Sequence, residues 1–296
     1  MKQILVAGAN AIDLIGVSKA PLIESDSNIG HVSLAFGGVS RNVAENLILL
    51  GNRITFLTPF GDDHFSIMAQ SDLTKKGIPL LKIRKQKCSQ DSYLAIHDHN
   101  GTLKTAINDF SLAEAVTPHD LLPFLATIQE VDALVLDTNF SIDTLKWFIE
   151  AFQGKLIFVD GVSQTKVHRL KDFVSQLTLL KVNQAELESL AGNRPFHQSE
   201  YIKELLQKGL KEIVVSSGKH PITYTFGGSI QQLSVETPRK VVSSNGAGDA
   251  LFSGIIHQYL RGKNMQEAVS FGLKLASLTM EVASAIHPEV SQYASK

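Results

Sequence analysis

Short apolar runs and helical segments alternate along most of this 296-residue chain, and the alternation limits the fold more than any other feature of the sequence. The apolar runs are four to six residues long, as strands buried on both faces of a parallel sheet are. The pattern predicts βαβ units, that is, an α/β sandwich of three layers with a mostly parallel central sheet. The strand-like runs are 4–8, 54–57, 133–136, 156–159, 177–182 and 212–216, and the helical segments are 42–50, 142–152, 185–190, 201–208, 247–260 and 265–283.

Polar side chains follow several of the predicted strands. They are Asp13, Asp137, Asn139, Asp160 and Asn183. Ligands of parallel sheets bind beyond the carboxyl ends of the strands. We therefore expect these five side chains to converge on one crevice.

Two segments interrupt the alternation. The first carries extended pieces without a helix, and the second reads as strand, turn and strand. A hairpin turn is predicted at Asn100-Gly101, because Asn-Gly favours the positive φ angles of a type I′ turn. These pieces predict a small β-sheet lid, inserted at about 14–36 and 90–108 into a single domain that spans 1–296.

Composition excludes several classes of function. The 28 Lys and Arg residues nearly balance the 29 Asp and Glu residues, whereas a nucleic acid or an anionic membrane would need clustered basic surface. No stretch of the sequence approaches the roughly 18 apolar residues of a membrane span. The single cysteine, Cys88, cannot form an internal disulfide, which is typical of a reducing compartment. We expect a cytoplasmic protein without nucleic-acid or membrane partners.

The most informative segment opens the helix predicted at 247–260. Gly246, Ala247 and Gly248 let the backbone approach a ligand closely, and the N–H groups of a first helical turn have no partner within the helix. Together with the positive end of the helix dipole, they form a site for an anion such as a phosphate. Asp249 in that turn either caps the dipole or acts as a general base beside the anion hole, and its position alone leaves both open.

A second glycine pair precedes the helix predicted at 42–50. Gly37 and Gly38 again allow close approach of the backbone, and Asn42 lies in the first turn, where its amide can reach a ligand. A glycine pair alone is more often a turn than a site. Its occurrence in one α/β chain with the segment 246–249 is what indicates a binding function.

The two glycine segments together resemble the two signatures of the ribokinase-like (PfkB) sugar and nucleoside kinases. The resemblance extends over essentially the whole chain. It implies the ribokinase-like fold, ATP as phosphoryl donor, Mg²⁺ as cofactor, a small-molecule sugar or nucleoside as acceptor, and a homodimer paired through the lid. The matching residues are Gly37-Gly38, Asn42, Ala44 and Leu50-Gly51 in the first signature, and Asn245-Gly246-Ala247-Gly248-Asp249 with Phe252-Ser253-Gly254 in the second.

The resemblance also implies roles for individual residues on the acceptor side. Asp249 would be the base that activates the primary hydroxyl of the sugar, and the three residues before it would supply the anion hole. The substrate-binding residues would be Asp13, Gly37, Gly38, Asn42, Asn108 and Asn139. The first four would lie around the ribose hydroxyls. The last two would face the base or the far side of the sugar, since amide groups match the donors and acceptors of a uracil edge.

On the nucleotide side the resemblance implies a second set of residues. Asn183 and Glu186 match the N-x-x-E motif of the family, which organises Mg²⁺, through water, and the nucleotide phosphates. The remaining contacts would come from Ser216, Gly218, Asn245 and, around the adenine, Gly272 and Ala276.

Several positions depart from the family pattern. Ala11 stands where the family has an asparagine, and Ser243-Ser244 replace an acidic residue and a threonine. Asn245 replaces the threonine that follows. The last three positions help build a monovalent-cation site in many relatives, so activation by potassium is left open.

The substrate-side segments resemble those of the pseudouridine kinases within the family. The predicted function is therefore ATP-dependent phosphorylation of the 5′-hydroxyl of pseudouridine. Two alternatives stay open. One is a kinase of the same fold for ribose, adenosine, another nucleoside or a fructose derivative, and the other is a non-catalytic regulator that binds a sugar or nucleoside. The segments that carry this resemblance are 26–30, 37–42, 106–109, 137–141 and 158–163.

Overall fold

Thirteen strands and ten α-helices lie within residues 2–192, 195–235 and 238–294, which are the residues that this computed structural model describes. The strands are β1 (Gln3–Ala7), β2 (Ala11–Ser18), β3 (Gly30–Gly37), β4 (Arg53–Phe60), β5 (Leu80–Arg84), β6 (Ser92–His97), β7 (Leu103–Asp109), β8 (Ala133–Asp137), β9 (Leu156–Asp160), β10 (Leu179–Asn183), β11 (Glu212–Ser216), β12 (Ile222–Phe226) and β13 (Ser229–Leu233). The helices are α1 (Val39–Leu49), α2 (His64–Lys75), α3 (Ser111–Glu114), α4 (Pro118–Leu121), α5 (Leu125–Glu130), α6 (Ile142–Ala151), α7 (Gln184–Ala191), α8 (Gln198–Gln207), α9 (Ala247–Leu260) and α10 (Met265–Thr279).

Nine strands form the larger sheet, in the order β13-β12-β11-β10-β9-β8-β1-β4-β5. The seven strands from β11 to β5 pair in parallel, and β12 and β13 add an antiparallel edge. The mostly parallel sheet is confirmed, and every predicted strand and helix is present. The sequence pattern missed β12, β13, α2 and the short helices α3, α4 and α5. Of these, β13 and α2 are largely exposed and lack the apolar runs that mark buried elements.

The two faces of the larger sheet are covered by different sets of helices. Successive side chains of a strand point to opposite faces. In β1, Ile4 and Val6 therefore pack against α1, α2, α9 and α10, whereas Leu5 and Ala7 pack on the other side with α6, α7 and α8. This is the predicted sandwich of three layers. It leaves the carboxyl ends of the parallel strands at one open edge.

A second, smaller sheet has the order β3-β2-β6-β7. Strand β2 pairs antiparallel with β3 and parallel with β6, and β6 pairs antiparallel with β7. The smaller sheet is thus present in the region where a lid was predicted, although β2 begins at Ala11. Asp13 consequently lies inside a strand of this sheet rather than after a strand of the core.

The turn between β6 and β7 is not the predicted type I′ turn. Gly101 has a φ of 78°, but Asn100 has no positive φ. The loop spans residues 98–102, and Oδ1 of Asp98 accepts the N–H groups of Asn100 and Thr102 at 2.9 and 3.0 Å. The carboxylate of Asp98 therefore builds a wider loop than a two-residue turn.

The described helices are short. The longest, α10, has 15 residues, whereas a helix that crosses a bilayer needs about 20. None of the helices in the described ranges is long and apolar enough to span a membrane. The cytoplasmic location and the absence of nucleic-acid and membrane partners stay predictions.

Candidate active site

The carboxyl ends of β8, β9, β10 and β11 bring polar residues of neighbouring strands side by side. Asp137 lies opposite Asp160, and Asp160 lies opposite Lys181. One strand further, Asn183 lies opposite Ser216. The expected polar edge of the sheet is therefore present, and Lys181 belongs to it although the sequence pattern did not single it out.

Gly246 starts α9 and brings its first turn against the chain at Ala285. Its φ is 75°, in the left-handed region that glycine adopts without steric cost. A Cβ on Gly246 would overlap the carbonyl group of Ala285. Both the conformation and the close approach therefore require glycine at this position.

The first turn of α9 offers unpaired N–H groups. The N–H of Ala247 makes a long hydrogen bond of 3.4 Å to the carbonyl of Ser244, and the N–H of Ala250 donates to Gly246 at 2.8 Å. Between them, the N–H groups of Gly248 and Asp249 find no acceptor in the part of the chain that the structure describes. These two groups are available to an anion at the positive end of the helix.

Asp249 is buried in this turn and is bound by Asn42 from α1. The amide Nδ2 of Asn42 donates to Oδ2 of Asp249 at 2.8 Å. The amide oxygen of Asn42 accepts from Nη1 of Arg41 at 2.9 Å. Because a guanidinium can only donate, the Arg41 contact fixes which end of the amide faces Asp249. The amide group of Asn42 thus orients one oxygen of Asp249 and leaves the other, Oδ1, for a ligand.

The surroundings of Asp249 raise the pKa of its carboxyl group to about 7. Burial is the largest cause, and the nearby carboxylate of Asp160 acts in the same direction. The ammonium of Lys181 and the hydrogen bond from Asn42 oppose them. A carboxylate with a pKa near neutrality is suited to accept a proton as a general base.

Asp13 faces a cavity of about 510 Å³ between the smaller sheet and the loop after α10. Burial raises the pKa of its carboxyl group to about 6, against a lowering influence of Arg41. Gly37 leaves room for it, because a Cβ at that position would overlap the carboxylate. Asn245 lines the same cavity. The structure thus places Asn245 on the side of Asp13, although its predicted role is on the nucleotide side.

Helix α1 begins with the second glycine pair, and a carboxyl group of the protein itself lies at its N-terminus and accepts one N–H group of the first turn. Gly38 has a φ of 101°, and a Cβ there would lie 2.8 Å from the carbonyl oxygen of Ala9. The fully buried Asp137 accepts the N–H groups of Ala9 and Ser40 through Oδ2, at 3.1 and 3.4 Å. The anion at this helix N-terminus is therefore internal.

A second cavity, of about 240 Å³, lies on the other side of the first turn of α9. The predicted nucleotide residues Ser216 and Gly218 line it together with Ala247 and Gly248, and Ala276 closes it from α10. Gly272, the other predicted adenine neighbour, does not line this cavity. It packs against Gly254 where α9 and α10 cross, and a Cβ on Gly272 would lie 2.5 Å from the carbonyl oxygen of Leu251.

Asn183 and Glu186 form a capping box at the start of α7. Oδ1 of Asn183 accepts the N–H of Glu186 at 2.9 Å, and Oε2 of Glu186 accepts the N–H of Asn183 at 2.9 Å. The second oxygen of Glu186 accepts from Nδ2 of Asn183 at 2.7 Å. Burial is the main cause that raises the pKa of Glu186, with Asp160 acting in the same direction and Lys181 against it. The motif therefore caps the N-terminus of α7.

The donors at this edge fit Mg²⁺ held mainly by phosphate oxygens and water. Carboxylate oxygens of Glu186 and Asp160 are ligands of the type that Mg²⁺ prefers, and Mg²⁺ commonly keeps several waters. Within the described residues, no group of three or more His, Cys, Asp or Glu side chains could hold a metal ion by itself. A closed protein cage for the metal is thus not part of this site.

The two asparagines predicted to face the base lie in different environments. Asn108 is exposed on β7, in register with Tyr93, which is in register with Asp13. Asn139 is buried, and its amide oxygen accepts from Nζ of Lys166 at 2.5 Å. The structure therefore brings Asn108 onto the face of the smaller sheet that carries Asp13, whereas part of the Asn139 amide is already engaged.

Four residues of this region were missed by reasoning from the sequence. Arg41 and Lys166 orient predicted site residues, Tyr93 lies between Asp13 and Asn108 on one face, and Lys181 joins the carboxylates at the sheet edge. A signal for two of them was present, since Arg41 lies within the first matched signature and Lys181 lies two residues before Asn183 of the N-x-x-E motif. Lys166 and Tyr93 carry no such signal.

Comparisons with known proteins agree on one family. The pfkB family carbohydrate kinase model matches residues 1–292. The pseudouridine kinase of Escherichia coli K12 is 29% identical to this chain over 297 residues, and the alignment covers 97% of this chain and 93% of the relative. The guanosine-inosine kinase of Exiguobacterium acetylicum is 27% identical over 284 residues, with 94% of each chain covered. The solved ribokinase of Thermotoga maritima superposes with a TM-score of 0.87 at 18% identity, with 99% of each chain covered, which confirms the ribokinase-like fold.

Proposed function

The chain belongs to the pfkB family of carbohydrate kinases, and on this basis we propose that it transfers the γ-phosphoryl group of ATP to the 5′-hydroxyl of pseudouridine. The observation that carries the proposal is the position of the start of α9, the segment that carries Asp249, between two cavities. Ala247 and Gly248 line one cavity, and Asn245 lines the other with Asp13. A group that must meet both a nucleotide and an acceptor belongs at such a junction.

In the proposed reaction Asp249 takes the proton of the 5′-hydroxyl. The hydroxyl oxygen forms a bond to the γ-phosphorus, the bond from that phosphorus to the β-bridging oxygen breaks, and ADP leaves. The N–H groups of Gly248 and Asp249 stabilise charge on the transferring group, since phosphoryl transfer depends mainly on positioning and electrostatic stabilisation. Mg²⁺, when bound with ATP, would neutralise phosphate charge, with Glu186 and Asn183 near it through water.

The smaller sheet supports a nucleoside as acceptor. Asp13, Tyr93 and Asn108 lie in register on three neighbouring strands, so their side chains share one face. Strands are about 4.8 Å apart, which puts Asn108 about 10 Å from Asp13 along this row. We propose that Asp13 holds ribose hydroxyls, with Gly37, Gly38 and Asn42 around them, and that the base lies against Tyr93 toward Asn108.

A pseudouridine kinase at 29% identity and a guanosine-inosine kinase at 27% are similar enough to leave two nucleoside classes in competition. The segments 106–109 and 137–141 favour pseudouridine. The alternative is a kinase for another nucleoside or for a sugar, with the same phosphate chemistry and a different acceptor. The regulator without catalysis is less favoured, because a protein that only binds has no use for a base next to the unpaired N–H groups of this helix turn.

The test is ADP release by the purified protein with Mg-ATP. Pseudouridine, uridine, inosine, guanosine, adenosine, ribose and fructose 6-phosphate are supplied separately. We expect the highest kcat/KM with pseudouridine and no turnover with 5′-deoxypseudouridine, which lacks the attacked hydroxyl. Turnover with another acceptor alone would retain the kinase and reject the pseudouridine assignment. Binding of a nucleoside without ADP release from any acceptor would favour the regulator.

The smaller sheet also supports the proposed homodimer through the lid. Leu34, Leu94 and Ile107 lie in register on the face opposite to Asp13, and Val32 continues that face. They are 37%, 39%, 66% and 71% exposed, respectively. Contiguous exposed apolar side chains commonly mark an interaction surface.

Light scattering after size exclusion measures the mass of the assembly. Ile107→Lys should give the monomer mass if this face joins two copies. Ile67→Lys is the control, because Ile67 on α2 is equally exposed at 64% but lies outside the smaller sheet. A wild-type protein of monomer mass would reject the dimer.

A further inference from the structure

Lys181 occupies a place where a buried lysine is unusual. Lys181 lies on β10 and is 8% exposed. Its Nζ lies 2.9 Å from Oδ2 of Asp160, a residue that is 1% exposed. Lysines are rarely buried, and a buried ion pair often stabilises a fold no better than apolar residues of the same volume. Stability alone is therefore a weak reason for this pair.

The ammonium of Lys181 touches the first turn of α9. A Cβ on Gly248 would lie 3.0 Å from Nζ, so the glycine leaves the space that the ammonium needs. A cation is unfavourable at the positive end of a helix. An anion bound at the same place would relieve this repulsion. The unpaired N–H groups of Gly248 and Asp249 belong to that turn.

Asp160 is the one carboxylate within ion-pair distance of the Lys181 ammonium among the described residues, and Oδ2 of Asp160 has no hydrogen-bond partner there, so none of the three N–H donors of Lys181 is committed to a hydrogen bond in that part of the chain. Asp160 is fixed separately, because its Oδ1 accepts the N–H of Val162 at 2.8 Å. The arrangement therefore holds donors in reserve for a ligand that carries several oxygens.

We propose that Lys181 is a catalytic residue that binds the γ-phosphoryl oxygens of ATP during transfer, while Asp160 holds its ammonium in place. The inference rests on the proposed function and adds a residue to it. As the bond to the acceptor oxygen forms and the bond to the β-bridging oxygen breaks, the three peripheral oxygens carry negative charge throughout. Lys181 keeps its protons and stabilises that charge together with the N–H groups of Gly248 and Asp249.

The first test measures nucleotide affinity and needs no acceptor. Isothermal titration calorimetry gives the Kd values of Mg-ATP and Mg-ADP for the wild type, Lys181→Met and Lys85→Met. The last is a matched control, because Lys85 forms a 2.9 Å ion pair with Asp120 away from the site. We expect Lys181→Met to weaken ATP binding about tenfold, the size of one hydrogen bond between charged groups. The affinity for ADP should stay unchanged, and Lys85→Met should alter neither.

Turnover supplies the second readout. With the preferred acceptor, kcat should fall about 100-fold in Lys181→Met, as for the loss of one donor to a transition-state charge. If that variant does not fold, Lys181→Gln, which keeps a polar side chain beside Asp160, is measured in the same way. An unchanged ratio of the two Kd values would make the pair merely structural and overturn the inference. An acceptor panel without turnover would reject the proposed function instead, since the affinity measurement does not depend on the acceptor.

Discussion

Two helices of this protein begin with a glycine-rich turn next to the same polar edge of the sheet, and the two N-termini are used in opposite ways. At α1 the carboxylate of Asp137 accepts the N–H groups of Ala9 and Ser40. At α9 the N–H groups of Gly248 and Asp249 have no acceptor within the described residues. A glycine-rich turn therefore holds a carboxyl group of the protein itself at α1. At α9 a similar turn leaves its N–H groups available to a ligand.

The two N-termini are also joined. Asn42 in the first turn of α1 donates to Asp249 in the first turn of α9. The N-terminus of α1 thus positions Asp249 in the N-terminus of α9. The N-terminus of α1 contributes rigidity and that of α9 contributes the reacting groups. A substitution can remove either contribution without the other.

The prediction with the largest expected effect distinguishes the roles of Asp249 and Asp137. Asp249→Asn should lower kcat about 10³-fold through loss of the general base, with its stability retained because Asn42 can still donate to the new amide oxygen. Asp137→Asn should instead lower the free energy of unfolding by about 3 kcal/mol, since an amide cannot accept from three N–H groups as Asp137 does. Turnover of acceptor and urea unfolding measure the two quantities. Near-wild-type turnover in Asp249→Asn would remove Asp249 from the base role.

The second prediction concerns pH and belongs to α9 alone. Asp249 must be ionised to act as a base, and the pKa of its carboxyl group is about 7. The ratio kcat/KM for the acceptor should therefore fall about tenfold for each pH unit below 7. The fall should steepen below pH 6, where Asp13, with a pKa of about 6, also becomes protonated. A flat profile between pH 5.5 and 7.5 would contradict the base role.

The stability of the fold should decrease with rising pH, whereas kcat/KM should increase. Carboxyl groups whose pKa is raised in the folded protein bind more protons folded than unfolded, so their contribution to stability is lost as pH rises through the folded pKa. Asp249, Asp13 and Asp91, whose pKa burial raises to about 8, all act in this sense between pH 4 and pH 8. The melting temperature should decline over the range in which activity increases.

The extent to which the sequence predicted this division differs between the two helices. The motifs identified both glycine turns, and the predicted bounds of α9 agree with the structure. The sequence pattern did not reveal that Asp137 would fill one of them, because the strand end that carries it is 97 residues from Ser40. The same limit applies to Asn42 and Asp249, which are 207 residues apart and were predicted for different tasks.

Lysines and asparagines were the least predictable residues. A lysine within a strand usually lies at the surface, whereas the ammonium of the buried Lys181 lies beside Gly248 in the first turn of α9. Asn139 was assigned from its residue type, and its partner Lys166 follows only from the folded chain. Local patterns thus predicted the elements and the acidic residue, whereas the pairing of side chains required tertiary structure.

A third prediction, with a smaller expected effect, compares one glycine beside each of the two cavities. Gly248→Ala puts a Cβ 3.0 Å from Nζ of Lys181, and Gly37→Ala puts one into the carboxylate of Asp13. Each change displaces one charged group that we expect to hold a ligand. We therefore expect Gly248→Ala to raise KM for ATP and Gly37→Ala to raise KM for the acceptor, each about tenfold. Steady-state kinetics with one substrate varied at a time measure both KM values. If the cavities were assigned wrongly, Gly248→Ala would raise KM for the acceptor and Gly37→Ala that for ATP, or each variant would raise both.

The prediction with the smallest expected effect tests whether the N-terminus of α1 stays out of nucleotide binding. The hydroxyl of Ser40 donates to the carbonyl of Ala7 at 3.2 Å in a buried setting. Ser40→Ala should lower the free energy of unfolding by about 1 kcal/mol, the usual net value of one such hydrogen bond. Its kcat and both KM values should stay at the wild-type level.

Ser244→Ala before α9 is the matched control for Ser40→Ala. Ser244 is exposed and lines the smaller cavity, so its removal should change stability by less than about 0.5 kcal/mol. Any kinetic effect of Ser244→Ala should fall on KM for ATP. If Ser40→Ala altered KM for the nucleotide as much as Ser244→Ala did, the N-terminus of α1 would also take part in nucleotide binding, and the distinction between the two helix N-termini would fail.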